Sequence, residues 1–177
     1  MAFAPGVSQM ITTDLWYPVY IGVGSNLEGP ATQVRNACDA LAELPQCRLV
    51  ATSSLYVNPP MGPQDQPDYI NAVAALLTRL APHALLDLLK EVERNQGRVR
   101  KPGDRWGARI IDLDLLIYGS VNLTDPGLTI PHPGISERNF VLFPLLDIAP
   151  TLIVSGQGTV AAMTQLVDGA TIQKIAK

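Results

Sequence analysis

"RWGARIIDLDLLIYG", residues 105–119, has the apolar period of a buried strand, yet it carries Asp112 and Asp114 two apart, with Arg105 and Arg109 just ahead of them. In a strand, residues i and i+2 point to the same side, so both carboxylates share one face while Ile111, Leu113 and Leu115 occupy the other. Their backbone sites then lie roughly 7 Å apart. Two like charges so close in a buried strand are costly unless they are protonated, paired or bound to cations. What neutralises them points to the chemistry, and the strand that carries them anchors the fold.

Upstream, "YINAVAALLT" (69–78) has a β pattern, and "APHALLDLLKEVERNQG" (81–97) reads as a helix with Pro82 at its start and Gly97 at its end. Earlier still, "VYIGVGSNL" (19–27) is a strand ending in a glycine-rich turn. "PATQVRNACDALAEL" (30–44) follows as a helix with Val34, Ala37, Leu41 and Leu44 on its inward stripe. A strand is expected from about Cys47 to Val57, ended by the stiff loop "NPPMGPQDQPD" (58–68). The order strand, helix, strand, strand, helix, strand predicts an α+β protein. Its core is a ferredoxin-like split βαβ antiparallel sheet with helices on its faces, a three-layer αβα arrangement. A hairpin near "GSVNLTDPGLTI" (119–130) and the stretch "HPGISERNFVLFPLLDIAP" (132–150) would add peripheral elements.

At 177 residues and 47% hydrophobic, the chain has the material for one domain with a substantial core. Residues 1–18 lack a basic start and a sustained apolar run, and read as an N-terminal extension to a single domain over 19–177. No stretch is apolar for long enough to span a bilayer. Cys38 and Cys47 have no zinc-ligand spacing, and reduced thiols fit a cytoplasmic protein. The net charge of −3 argues against general nucleic-acid binding, which needs a basic surface.

Yet six of the thirteen basic residues, Arg94, Arg98, Arg100, Lys101, Arg105 and Arg109, crowd one short segment. A solvated loop would explain this less well than a small anionic ligand, and the guanidinium forks suit phosphate. Oxygen ligands such as Asp112 and Asp114 suit Mg²⁺, which takes one or two carboxylates, waters and phosphate oxygens. "GVGSNLEG" (22–29) is GxGxxxxG with no second βαβ half, so a dinucleotide site is set aside in favour of a close backbone approach. Glu93 falls at about 80° from Leu85 on a helical wheel, at the edge of the apolar face, where a surface ion pair and a ligand contact are both open. His83 reads as an exposed helix residue. His132, between Pro131 and Pro133, has a rigid backbone to aim it at a ligand. Tyr69 and Asn71 share a strand face, and Trp106 and Phe140 are further aromatics. Phe and Trp are ordinarily core residues, but here these aromatics interleave with charged motifs as a flat heteroaromatic substrate would require.

Together, "NPPMGPQDQPDYINA" (58–72), "QGRVRKPGDRWGARIIDLDLLIYG" (96–119) and "LTIPHPGISERNFVLFPLLDIAP" (128–150) resemble the 6-hydroxymethyl-7,8-dihydropterin pyrophosphokinases of folate biosynthesis. The resemblance runs from about Val19 to Leu152. It implies transfer of the β,γ-diphosphate of ATP, the co-substrate, to a reduced pterin alcohol, with release of AMP and two Mg²⁺ ions bound. By motif, Asp112 and Asp114 would be the metal ligands and, with Arg98 and Arg109, the catalytic set. Arg100 and Arg138 would help bind the triphosphate, and Glu93, Leu115, Thr129 and His132 match nucleotide contacts. Tyr69 and Phe140 would sandwich the pterin, Asn71 would bond its edge, and Trp106 would close over it. Asn58, Pro59 and Met61 match the pterin-side loop, partly through backbone. Gly127 stands where a basic residue is frequent in that family, Pro133 replaces a frequent aromatic, and Asn58 replaces a common threonine. The resemblance implies no nucleic-acid or membrane partner, and the chain is expected to act as a monomer, with docking to another folate enzyme left open. Competing readings are a sheet-based RNA-binding module and a catalytically inactive pterin- or nucleotide-binding relative.

Overall fold

The computed structural model describes residues 12–99 and 107–175. The central sheet has six antiparallel strands: β1 (Thr12–Ser25), β2 (Cys47–Thr52), β3 (Leu55–Asn58), β4 (Tyr69–Leu80), β5 (Asp112–Tyr118) and β10 (Gln173–Ile175). Their order is β10-β3-β4-β1-β5, with β2 also on β4, so the split βαβ order expected from sequence is the order observed. Helices α1 (Pro30–Ala42) and α2 (Pro82–Asn95) lie on one face. On the other lie α3 (Asn139–Ile148) and the short α4 (Val160–Thr164), giving three layers. Two small hairpins, β6–β7 (Leu123–Asp125, Leu128–Ile130) and β8–β9 (Ile153–Val154, Gly158–Thr159), complete the described elements.

Strand alternation sorts the core into two clusters. Val19, Ile21 and Val23 of β1, Ile70, Ala72 and Ala74 of β4, and Leu113 and Leu115 of β5 face α1 and α2. There they meet Val34, Ala37, Leu41, Leu85, Leu88 and Leu89. Burying each such aliphatic side chain contributes about 1.5–3 kcal/mol. Val73, Leu116 and Ile117 face Val141, Leu142 and Leu145 of α3 on the other side. A register shift between Tyr20 and Ile21 lets Leu116 and Ile117 both reach this second cluster.

Two boundaries differ from the expectation. β1 begins at Thr12, so residues 12–18, read as part of an extension, belong to the sheet: Tyr17 pairs with Thr78 and Pro18 with Leu77. The irregularity between Thr12 and Tyr17 interrupts the alternation that would have marked a strand. The strand expected from Cys47 to Val57 is two strands, broken at Ser53–Ser54. The Ser53 hydroxyl there accepts from Val73 N–H at 2.9 Å, and Ser54 N–H donates to Asp147 at 2.8 Å.

Candidate active site

The unfilled part of the second face forms a cavity of about 360 Å³. Three strands supply its floor in register: Asn71 of β4 pairs with Gly24 of β1, and Gly24 pairs with Asp112 of β5. Gly22, one step along, pairs with Asp114. The glycine-rich turn is thus a gap in the floor, and it must be one, because a Cβ on Gly24 would lie 2.6 Å from Asn71 Oδ1. Asn71 in turn donates to Asn58 Oδ1 at 2.6 Å, and Asn58 donates to the Pro59 carbonyl at 2.8 Å. The Asn58 side chain therefore ties the Asn71 amide to the loop that follows β3.

At the other end of the row, arginines neutralise the first aspartate. Arg98 bonds one Asp112 oxygen and Arg109 the other. Burial pushes the Asp112 carboxyl up, but Arg109 and Arg98 outweigh it and hold the group below its ordinary range. Asp114 has less help. Burial first, then the charge of Asp112, push it up to about 6 against the pull of Arg138, whose guanidinium is 3.8 Å away. Arg138 reaches this position across Gly134, where any Cβ would meet its Nε at 2.6 Å. It also sits 5.8 Å from the centre of the Phe140 ring, while Arg109 sits 5.9 Å from that of Tyr69.

His132 is fixed to β5 through its backbone N–H, which donates to Leu116 O at 2.8 Å. Its Nδ1 accepts from Gly134 N–H at 3.0 Å, leaving the Nε2 position as the donor of a neutral ring. Burial, helped by the Arg138 charge, pushes its pKa down to about 4, so the ring is uncharged at neutral pH.

Of the residues singled out in the sequence, Arg98, Arg109, Asp112, Asp114, His132 and Arg138 converge on this cavity from the charged side. Asn58, Met61, Tyr69, Asn71 and Phe140 converge from the other. Four positions fall elsewhere. Glu93 is 1% exposed and no surface ion pair: it bonds Arg98 from beneath and accepts from Leu113 N–H at 2.8 Å. Leu115 points into the α1/α2 core, because it lies one residue out of phase with Asp112 and Asp114, so only its backbone can reach a ligand. Thr129 is exposed on β7, and Pro59 is exposed while its neighbour Pro60 lines the cavity. Arg100 and Trp106 lie outside the described residues. His83, read as merely exposed, pairs with Asp125 at 3.0 Å.

The sequence reading missed Asn26. It is 2% exposed and joins the loop before β4 to Arg109. It lies two residues beyond Gly24, and its partners are too distant in sequence to have marked it.

The donor set fits Mg²⁺. Among the described residues no three His, Cys, Asp or Glu side chains gather as an all-protein metal cage. Two carboxylates on one strand face are what an ion shared with substrate phosphates and waters requires.

Fold and site together define an α+β protein whose concave sheet face puts a polar aromatic slot beside an arginine–carboxylate cluster suited to phosphate. A family model, 7,8-dihydro-6-hydroxymethylpterin-pyrophosphokinase (HPPK), matches residues 20–150, and the chain belongs to that family. It is 52% identical over 134 residues to the 2-amino-4-hydroxy-6-hydroxymethyldihydropteridine pyrophosphokinase of Pseudomonas aeruginosa, covering 76% of this chain and 82% of the relative. To that of Haemophilus influenzae it is 49% identical over 135 residues, covering 76% and 83%. The mitochondrial folate synthesis bifunctional protein of Arabidopsis thaliana is 39% identical over 132 residues, 75% of this chain but 23% of the plant protein. Among solved structures, Plasmodium falciparum HPPK-DHPS with pteroate superposes with a TM-score of 0.68 at 14% identity, over 86% of this chain. This chain spans 42% of that fused one, and the likeness shows the shared fold. Among the described residues no helix is long and apolar enough to cross a membrane.

Proposed function

We infer that this chain transfers the β,γ-diphosphate of ATP to the hydroxymethyl group of 6-hydroxymethyl-7,8-dihydropterin in folate biosynthesis. The chain is an ATP-dependent pyrophosphokinase, and AMP is the other product. The alcohol oxygen bonds the β-phosphorus, the oxygen bridging the α- and β-phosphorus leaves with AMP, and the hydroxyl proton is released. The observation that carries the reading is the register Asn71–Gly24–Asp112. Two inter-strand spacings of about 4.8 Å separate a ring-edge amide from the phosphate-handling carboxylate, with open floor between them.

Asn71, held by Asn58, bonds the pterin edge, and Tyr69 and Phe140 flank its ring. Arg98, Arg109 and Arg138 stand opposite Glu93, Asp112 and Asp114, so this described part of the site is close to neutral before substrate arrives. A triphosphate adds about four negative charges, which two Mg²⁺ ions on Asp112 and Asp114 would balance. The ions supply Lewis-acid stabilisation of the charge that develops on the transferred group. Arg98 and Arg109, drawn from Asp112 toward phosphate oxygens, orient the chain in line, and Arg100 is assigned to the same triphosphate. His132 donates from Nε2 as a neutral hydrogen-bond partner to the nucleotide. No side-chain base is required, because positioning and charge stabilisation dominate phosphoryl transfer.

Membership of the family replaces the RNA-binding alternative, and an AMP-release assay with ATP, Mg²⁺ and the reduced pterin separates an enzyme from an inactive relative. Asp114→Asn, which removes a ligand oxygen at constant volume, is expected to lower turnover by at least about 10³-fold while the far-UV spectrum is unchanged. Full activity in that variant refutes the metal assignment. The same reading makes the chain a cytoplasmic monomer, which size-exclusion chromatography checks. The bifunctional relatives support a link to another folate enzyme.

A further inference from the structure

Residues 168–175 lie along α3 from its first turn to its last. Asn139, in the first turn, donates from Nδ2 to Asp168 O at 2.8 Å and to Thr171 Oγ1 at 3.0 Å. One turn on, Phe143 packs so close to Gly169 that a Cβ there would lie 2.9 Å from its Cζ. In the last turn, Asp147 Oδ1 accepts from Lys174 of β10, and its Oδ2 accepts from Ser54 N–H, just ahead of β3, at 2.8 Å. Lys174 itself pairs with Tyr56 of β3. The segment is therefore fastened to both ends of α3 and to the edge of β3.

These two elements carry different walls of the aromatic slot. Phe140 stands in the first turn of α3, and β3 ends in Asn58, whose side chain is tied to Asn71. That first turn is weakly supported by its own backbone: Pro144 has no N–H, so Phe140 O lacks the donor that an ordinary helix supplies four residues on. Val141, Leu142 and Leu145 hold the helix to the sheet by burial, which has no preferred direction. We propose that residues 168–175 form a strap that fixes α3 against β3, with Asn139 as the positioning residue that keeps Phe140 at its distance from the pterin ring. The strap is largely exposed and adds little to the core, so what it supplies is direction. Asn139 and Lys174 lie outside the cavity, and act on the pterin only through Phe140 and Asn58.

The proposal rests on the pyrophosphokinase reading, and its test keeps the two apart. Titration calorimetry on the full chain measures affinity for a non-hydrolysable ATP analogue with Mg²⁺, and then the affinity of the nucleotide-saturated protein for the reduced pterin. Asn139→Ala removes both donors to the strap and leaves the cavity lining intact. Pterin affinity is expected to fall by about five- to tenfold, with nucleotide affinity changed by less than about twofold. Lys174→Met, which frees the far end, is expected to weaken pterin binding by about threefold, and Lys174→Arg, which keeps the charge that meets Asp147, to restore it. This second pair carries the test should Asn139→Ala not fold. Unchanged pterin affinity in a folded Asn139→Ala or Lys174→Met protein, or an equal loss of nucleotide affinity, overturns the strap. So does a Lys174→Arg protein that behaves as Lys174→Met does. A wild-type protein that binds the nucleotide but no pterin overturns the function reading instead.

Discussion

The two faces of the central sheet are built from alternate residues of the same strands, yet they are finished differently. Toward α1 and α2 the strands present Val19, Ile21, Val23, Leu113 and Leu115, all buried against helix residues without a break. On the opposite face α3 covers Val73, Leu116 and Ile117, and stops short of the row Asn71, Gly24, Asp112. The sealed face needs only volume and apolarity, which many side chains satisfy. The open face needs particular atoms at particular places, and its glycines are as necessary as its charges. The difference separates residues that stabilise the fold from residues that do the chemistry, and mutations on each face should move different quantities.

The largest expected effect lies on the sealed face. Leu88→Ala, at a side chain 1% exposed, is expected to cost about 2–5 kcal/mol in denaturant unfolding, while kcat measured well below the transition stays within about twofold. A large fall in kcat at unchanged fraction folded would show that the helix face is not independent of the site. Next is the floor of the open face. Gly24→Ala places a methyl against Asn71 Oδ1 and displaces the amide proposed to meet the pterin edge. Steady-state kinetics should show kcat/KM for the pterin lowered by about 10²-fold, with KM for ATP changed far less. Equal losses for both substrates would mean that the gap serves the whole cavity rather than its pterin end.

The same division governs what could be read from the sequence. Alternation and helical period exposed the sealed face, because burial of one strand face against two amphipathic helices leaves a repeating signature in α1, α2 and β5. The aspartate pair and the arginine cluster were legible for the converse reason, since charge within an apolar run conflicts with its surroundings. Glu93 was left open between a surface ion pair and a ligand contact because its burial depends on Arg98 and Leu113 N–H, partners that no local period reveals. Leu115 was assigned to nucleotide by motif although its phase on the strand already placed its side chain in the core. Asn26 was passed over because its four bonds are all to segments more than forty residues distant or to a loop of irregular backbone. β10 gave no signal at all. Three residues, two of them exposed, hold to β3 by backbone pairing and to α3 by the Lys174–Asp147 ion pair, neither of which imposes a pattern.

The smallest expected effect sharpens the comparison most, because it sets stability against function at one atom pair on the open face. The Asp114 carboxyl is pushed up from 3.8 to about 6, so its ionised form is disfavoured in the folded protein relative to the unfolded chain. The cost is absent below about pH 4, where the group is protonated in both states. It grows as the pH rises through the interval between 3.8 and 6, and it is fully present above 6. Asp114→Asn removes the charge, so without metal or nucleotide its Tm should exceed that of the wild-type protein above pH 6 and converge with it near pH 4. Because the side chain is 42% exposed, water screens much of the effect, and the gain should be no more than about 2 °C. With Mg²⁺ and an ATP analogue the order should reverse at pH 7.5, since the wild-type protein then gains ligand stabilisation that the variant lacks. Thermal melts over pH 4–8, with and without ligands, measure both signs. A variant no more stable than the wild type at pH 7.5 without ligands would mean that Arg138 already neutralises Asp114, and that the open face, like the sealed one, is relaxed before substrate arrives.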